Sequence, residues 1–397
     1  RFVVEYLSTI RPNGKEIMNE FDLEYAISIV SSIIRWAKID DAFKYGLLEK
    51  AVLLMSYRIG FDHTNLYKFN KIVSDVASFD TSHKLDFISD KKESWPFKKD
   101  LDLAYIYEHG FTTDDILHTI TAFLIVGDKQ NNEIKKATYK EIIDFIKSEP
   151  SICLSEEMFQ KIADYISISR RDKFYDTSIK PRELHPWKYN RTHSLLRKPV
   201  IKCDGYYIWG NRLVEHLYYH LMETIFSGKE PSNLKGKNSI NTLNGKILEF
   251  AGNEFNNICY EYLTKTIPDL FFDKCVKSLN NKKIESTKKE DLGDIDILGI
   301  DKSKKKIYLI ETKKFFYSRD PSELDIEKKE MFVDTEKRKS FLTKEKNRLN
   351  WIKDHIDDVI KHYELEKGHW EARYTFLTDK PLISAEFSDK KINATSL

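Results

Sequence analysis

The chain has 397 residues, 41% of them hydrophobic and 32% charged, with a net charge of +2. That length supports two or three domains at about 100–200 residues each. No apolar run reaches the ~18 residues of a membrane-spanning helix, so no helix crossing a bilayer is expected. The near-neutral charge neither demands nor excludes a nucleic-acid partner, because such binding depends on local patches. The four cysteines, Cys153, Cys203, Cys259 and Cys275, are scattered and form no CxxC pair. That pattern fits a reducing cytoplasm better than a disulfide framework.

In chain order, residues 21–56 space their apolar groups helically and predict two amphipathic helices. TTDDILHTITAFLIVG opens on Thr112 or Thr113 before acids, a helix-start signal. In ATYKEIIDFIK, Thr138 and Glu141 have the spacing of a capping box. A further helix is expected from about Ser155 to Ile168. Residues 169–197 are basic, lack a period and read as a long connection. KPVIKCDGYYIWG places two β-rich runs around Asp204-Gly205, a strong hairpin signal. A helix follows in NRLVEHLYYHLMETIFSG, and the polar 227–241 stretch is the best candidate for a domain boundary.

Beyond that stretch, residues 243–265 predict a helix with Leu248, Ala251, Phe255, Ile258 and Tyr262 on one stripe. Strands are expected at 269–279, 293–300, 306–313 and 369–379, with a highly charged helical segment at 322–364 and a short last element at 381–387. The expected organisation is a mainly helical N-terminal domain (1–189), a hairpin, helix and linker (190–240), and a C-terminal α/β domain (241–397) with a mixed central sheet flanked by helices.

The chemistry lies in GDIDILGIDKSKKKIYLIETKK (293–314). Asp and Glu are poor strand formers, and burying a carboxylate without a partner is costly. Side chains alternate across a strand, so Asp294 and Asp296 share a face of theirs, and Glu311 and Lys313 likewise share a face. If the strands pair through DKSKK, Asp296 sits beside Glu311. Two adjacent carboxylates repel and desolvate badly, and a divalent cation with hard oxygen ligands, Mg²⁺ or Mn²⁺, resolves that conflict.

The GDID of 293–296 and the ETK of 311–313, each on an apolar strand, resemble the PD-(D/E)XK nuclease superfamily. The resemblance covers about the last two-fifths of the chain. It departs from the name, because Ile295 stands where Pro would precede Asp296, and Asp294 is a rival first ligand. The resemblance implies a restriction-endonuclease-like domain and a metal-dependent deoxyribonuclease, in restriction, defence or mobile-element biology. Asp296 and Glu311 would bind the metal, with the Thr312 carbonyl as a further ligand. Lys313 would orient the attacking water. Glu254, on the preceding helix and ranked ahead of Glu261, would complete the shell. A non-catalytic nucleic-acid-binding or assembly protein on the same scaffold is the alternative.

DNA is the expected partner, with RNA not excluded, a homodimer or partner subunit allowed, and no membrane. Nucleic-acid contacts are expected from Lys304, Lys305, Lys314 and Arg319, within a basic series that also includes Arg338, Lys339 and Lys344, and from Arg170 and Arg171 in the connection. His216 and His220 have i, i+4 spacing, but without an HExxH frame they read as ordinary helix histidines.

Overall fold

The computed structural model describes residues 2–9, 19–49, 51–53, 59–75, 95–168, 170, 185, 191–232, 234–286, 289–315, 318–336, 338–390 and 392–397. It is a mixed α/β protein, mainly helical in its N-terminal part and sheet-containing in its C-terminal part. The chain divides into two compact units. One comprises residues 1–40 and 80–248, the other residues 41–79 and 249–397.

In the first unit, helices Lys98–His109, Thr113–Asp128, Tyr139–Ser148, Glu156–Tyr165 and Asn211–Phe226 pack with a four-stranded sheet. Helix starts follow local chemistry. Thr112 and Thr138 each close a full capping box, with Asp115 and Glu141 respectively, and Ser155 caps the next helix. Asp204 and Gly205 both adopt positive φ, 49° and 80°. That is the turn the Asp-Gly pair predicts, and it joins strand Val200–Cys203 to strand Tyr206–Gly210. The sheet also takes in Ile134–Thr138, paired antiparallel with Tyr206–Gly210, and Ser167–Ile168, paired parallel with Val200–Cys203. Phe123, Phe159, Tyr207 and Trp209 form its aromatic centre. Among the described residues of this unit, Glu5–Arg191 at 2.9 Å and Arg197–Glu230 at 3.1 Å are buried ion pairs.

Two expectations for the first quarter of the chain are corrected. Residues 20–44 form one long helix, and Ala51–Leu53 pairs antiparallel with Ile59–Phe61 where a second helix was expected. The apolar groups of the long helix do not share one buried face: Phe21, Tyr25, Ile33 and Trp36 are exposed. Periodicity counts apolar spacing, whereas pairing of a short segment depends on a partner supplied elsewhere. Within the second unit Phe69 is buried and meets Phe387 edge-on at 6.3 Å.

The second unit is built on a five-stranded mixed sheet. In chain order its strands are Phe271–Val276, Ile295–Asp301, Lys306–Lys313, Glu371–Thr378 and Ala394–Ser396, and they lie side by side in that same order. The first three are antiparallel neighbours, and the last two pair parallel. The parallel step needs a crossover, supplied by helices Pro321–Phe332, Phe341–Asp354 and Ile356–His362. Trp351 and Ile352 of that crossover pack with Leu298, Ile300, Ile307 and Leu309. The other face is covered by the C-terminal half of helix Ile240–Thr266, whose Phe255, Cys259 and Leu263 pack with Phe272, Ile297 and Ile310. Among the described residues no helix is long and apolar enough to cross a membrane.

Candidate active site

The strands Ile295–Asp301 and Lys306–Lys313 pair from Asp301–Lys306 back to Ile297–Ile310. One residue further in the same register, Asp296 stands opposite Glu311, as the hairpin spacing predicts. There the Asp296 carboxylate takes over from the ladder. Its Oδ2 accepts the Thr312 N–H at 2.8 Å and the Thr312 hydroxyl at 3.1 Å. Lys313 Nζ lies 2.6 Å from Glu311 Oε1 and 3.8 Å from Asp296 Oδ2.

Two residues absent from the sequence reading complete the group. Arg348 Nη1 donates to Glu311 Oε2 at 2.5 Å and also contacts the Glu345 carboxyl. Its Nε donates to the Leu292 carbonyl at 2.9 Å. Glu345 and Arg348 are one turn apart on helix Phe341–Asp354, and both are buried. In sequence this helix lies inside the highly charged helical segment expected at 322–364, which singled out neither residue. A signal was present: Leu342, Glu345, Arg348 and Ile352 recur at the spacing of one helix face, so the acid and base share the buried stripe.

Burial controls the protonation of this group. It is the main force pushing the Asp296 carboxyl up, to about 6, and the neighbouring Glu311 charge adds to it. Glu345 is pushed well above the usual carboxylate range, first by burial and then by Glu311. Burial also opposes the Glu311 charge, but Lys313 and Arg348 outweigh it and hold Glu311 below its ordinary value. Lys313 stays protonated because Glu311 and Asp296 outweigh its desolvation. Of the two acids Glu311 holds its charge more readily, because both Lys313 and Arg348 face it.

The other expected site residues are distributed as follows. Asp294 is half-buried before the strand begins, just after Gly293 at φ 80°, and it makes no hydrogen bond or ion pair with the group. Glu254 is half-buried on the helix that covers the opposite face of the sheet. The third acid brought to Glu311 is Glu345. Lys304 and Lys305 sit in the turn at the far end of the hairpin, beside Asp301 and Glu366 respectively. At about 3.3 Å per residue the strand carries them roughly 25 Å from Lys313, so they do not join the site. Lys314 follows the strand close to Asp379. The Arg319 backbone caps toward Glu323 at 2.8 Å. Arg170, in the first unit, pairs with Asp204 at 3.0 Å, and Arg171 lies outside the described residues.

Among the described residues no three His, Cys, Asp or Glu side chains form a ready metal-binding group. The donor chemistry still fits a hard divalent cation at two ligands. Asp296 and Glu311 are adjacent carboxylates on one hairpin, and Asp296 resists ionisation because of burial and the Glu311 charge. A divalent ion relieves that conflict. His220, by contrast, is buried within its helix.

Fold and site define a mixed α/β protein that gathers three acids and two bases at the end of a central hairpin. The chain belongs to the Upx-like family of anti-phage proteins, whose model matches residues 70–368, three quarters of its length. No curated protein and no solved structure matches it.

Proposed function

We propose that this chain defends against phage as a metal-dependent nuclease that hydrolyses phosphodiester bonds of DNA. The supporting observation is the meeting of Asp296, Glu311 and Lys313 at one strand end, together with membership of an anti-phage family. Asp296 and Glu311 would hold Mg²⁺ or Mn²⁺, with the Thr312 carbonyl as a further candidate ligand. When bound, the ion supplies Lewis-acid polarisation of the phosphate and activation of water.

The chain's own residues prepare that chemistry. Thr312 fixes the Asp296 carboxylate through two hydrogen bonds. Arg348 keeps Glu311 ionised and fixes its orientation. Lys313 carries a proton beside both acids. In this reading it orients the attacking water and stabilises charge developing on the phosphate oxygens. The helical N-terminal unit serves recognition or regulation.

The test uses supercoiled plasmid and linear DNA, with Mg²⁺, Mn²⁺ or EDTA, beside Lys313→Ala and Asp296→Ala. Metal-dependent cleavage by the wild type, lost in both variants, is the expected result. Cleavage retained by either purified variant overturns the assignment. One observation favours a second reading, a non-catalytic nucleic-acid-binding scaffold: both Glu311 oxygens are already taken, by Lys313 and Arg348. Nucleic-acid binding without cleavage under any metal would select it.

A further inference from the structure

Next to the acid group, three cations gather around one ring. Lys313 Nζ lies 5.0 Å from the centroid of Phe341, Lys344 Nζ 5.7 Å, and the Arg338 guanidinium carbon 5.9 Å. Cation–π attraction favours each contact. The three like charges also lie close enough together that salt screens them only in part, since the Debye length is about 8–10 Å. Two of them have acidic partners. Lys313 pairs with Glu311, and Arg338 Nη1 lies 3.3 Å from Glu330 on a half-exposed side chain. Among the described residues no carboxylate forms an ion pair with Lys344, which is half-buried.

The local helix makes the arrangement more unfavourable. Phe341 opens helix Phe341–Asp354, capped by Ser340, and its first turn contains no acid. A helix N-terminus carries partial positive charge and normally attracts Asp or Glu. Here the first turn instead carries Lys344, with Arg338 just before it. Burial is the main force lowering the Lys344 pKa, and Arg348 adds to it. Positive charge concentrated at a helix N-terminus, around an aromatic ring and beside a candidate phosphodiesterase site, calls for an anion.

We propose that Arg338, Phe341 and Lys344 form a clamp for the phosphodiester backbone of a nucleic-acid strand, delivering it to Lys313. This rests on the nuclease reading of the Asp296–Glu311–Lys313 group. It deepens that reading by selecting, from a long series of basic residues, those that touch the strand. Arg338 and Lys344 neutralise backbone phosphate, and Phe341 offers a face for a base once the cations engage the strand. Lys304 and Lys305, at the far end of the hairpin, take no part.

The experiment measures binding by the full chain in EDTA, where metal-dependent cleavage is off. Fluorescence anisotropy follows labelled single-stranded DNA, duplex DNA and single-stranded RNA of one sequence across a salt series. Arg338→Gln with Lys344→Gln should weaken binding. It should also make the slope of log affinity against log salt shallower by about 1.4 for single strands or about 1.8 for duplex, that is, two phosphate contacts. Lys344→Arg should bind like the wild type. Lys304→Gln with Lys305→Gln should change neither affinity nor slope. The arm with the strongest effect identifies DNA or RNA as the strand held.

An unchanged melting temperature in the double variant separates loss of contact from loss of fold. Wild-type affinity and slope in the folded double variant would overturn the clamp, as would a wild type that binds none of the three probes. If the wild type cleaves DNA while the double variant binds normally, the clamp fails and the nuclease reading survives. If the double variant loses binding but the wild type never cleaves, the clamp stands on a non-catalytic scaffold.

Discussion

Asp296→Asn should make the protein more stable above pH 6 while removing any activity. In the folded chain the Asp296 carboxyl is pushed from its ordinary 3.8 up to about 6, mainly by burial. The difference of about 2.2 units, at 1.36 kcal/mol per unit, corresponds to at most about 3 kcal/mol. The side chain keeps 20% exposure, which holds the true figure toward the lower side. The sign follows from proton counting. Between about pH 4 and pH 6 the folded protein holds a proton that the unfolded chain has released, so wild-type stability falls as pH rises through that window. Above pH 6 the full penalty applies, and below pH 4 it vanishes. Asparagine keeps an oxygen for the Thr312 bonds and carries no charge. The variant should therefore match the wild type near pH 4 and exceed it by up to about 3 kcal/mol at pH 7.5. At roughly 2–4 °C per kcal/mol for a unit of this size, the melting temperature rises by up to about 12 °C. Thermal and urea denaturation in EDTA at pH 5 and pH 7.5 would measure it. Equal stabilities at pH 7.5, or an equal gain at both pH values, would refute the reasoning. Mg²⁺ should stabilise the wild type and leave the variant unmoved.

Further perturbations probe the same group and the local starts of the fold. Arg348→Met leaves the buried Glu311 and Glu345 with one cation fewer and should cost about 3–5 kcal/mol at pH 7.5, a loss visible in urea denaturation and smaller at pH 5, where carboxyls take up protons. Gly293→Ala forces a side chain into a backbone at φ 80°, with the new Cβ 3.2 Å from Arg348 Nη2. It should destabilise by about 1 kcal/mol or more and lower any cleavage rate through displaced Arg348. Thr138→Ala removes the oxygen that accepts the Glu141 N–H and should cost about 1 kcal/mol, read as a lower melting temperature without change in metal response.

The features legible in the sequence are those whose causes are local. Thr112 and Thr138 start helices because their hydroxyls reach backbone N–H groups three residues on, and Asp204-Gly205 turns because both residues tolerate positive φ. The meeting of Asp296 with Glu311 is also local: a short turn fixes the register of one hairpin, and alternation does the rest. Three features were not legible. Ile134–Thr138 became a strand because Tyr206–Gly210, some 70 residues later, offered it an edge. Lys304 and Lys305 looked close to Lys313 in sequence, but an extended strand carries them to its other end. Glu345 and Arg348 come from a crossover helix more than thirty residues beyond Glu311, and their burial depends on how that helix lies on the sheet. The sequence by itself determined the hairpin and the acids it sets side by side. Only the tertiary structure decided which charges are buried against them, because desolvation and ion pairing act through space between segments that no local rule connects.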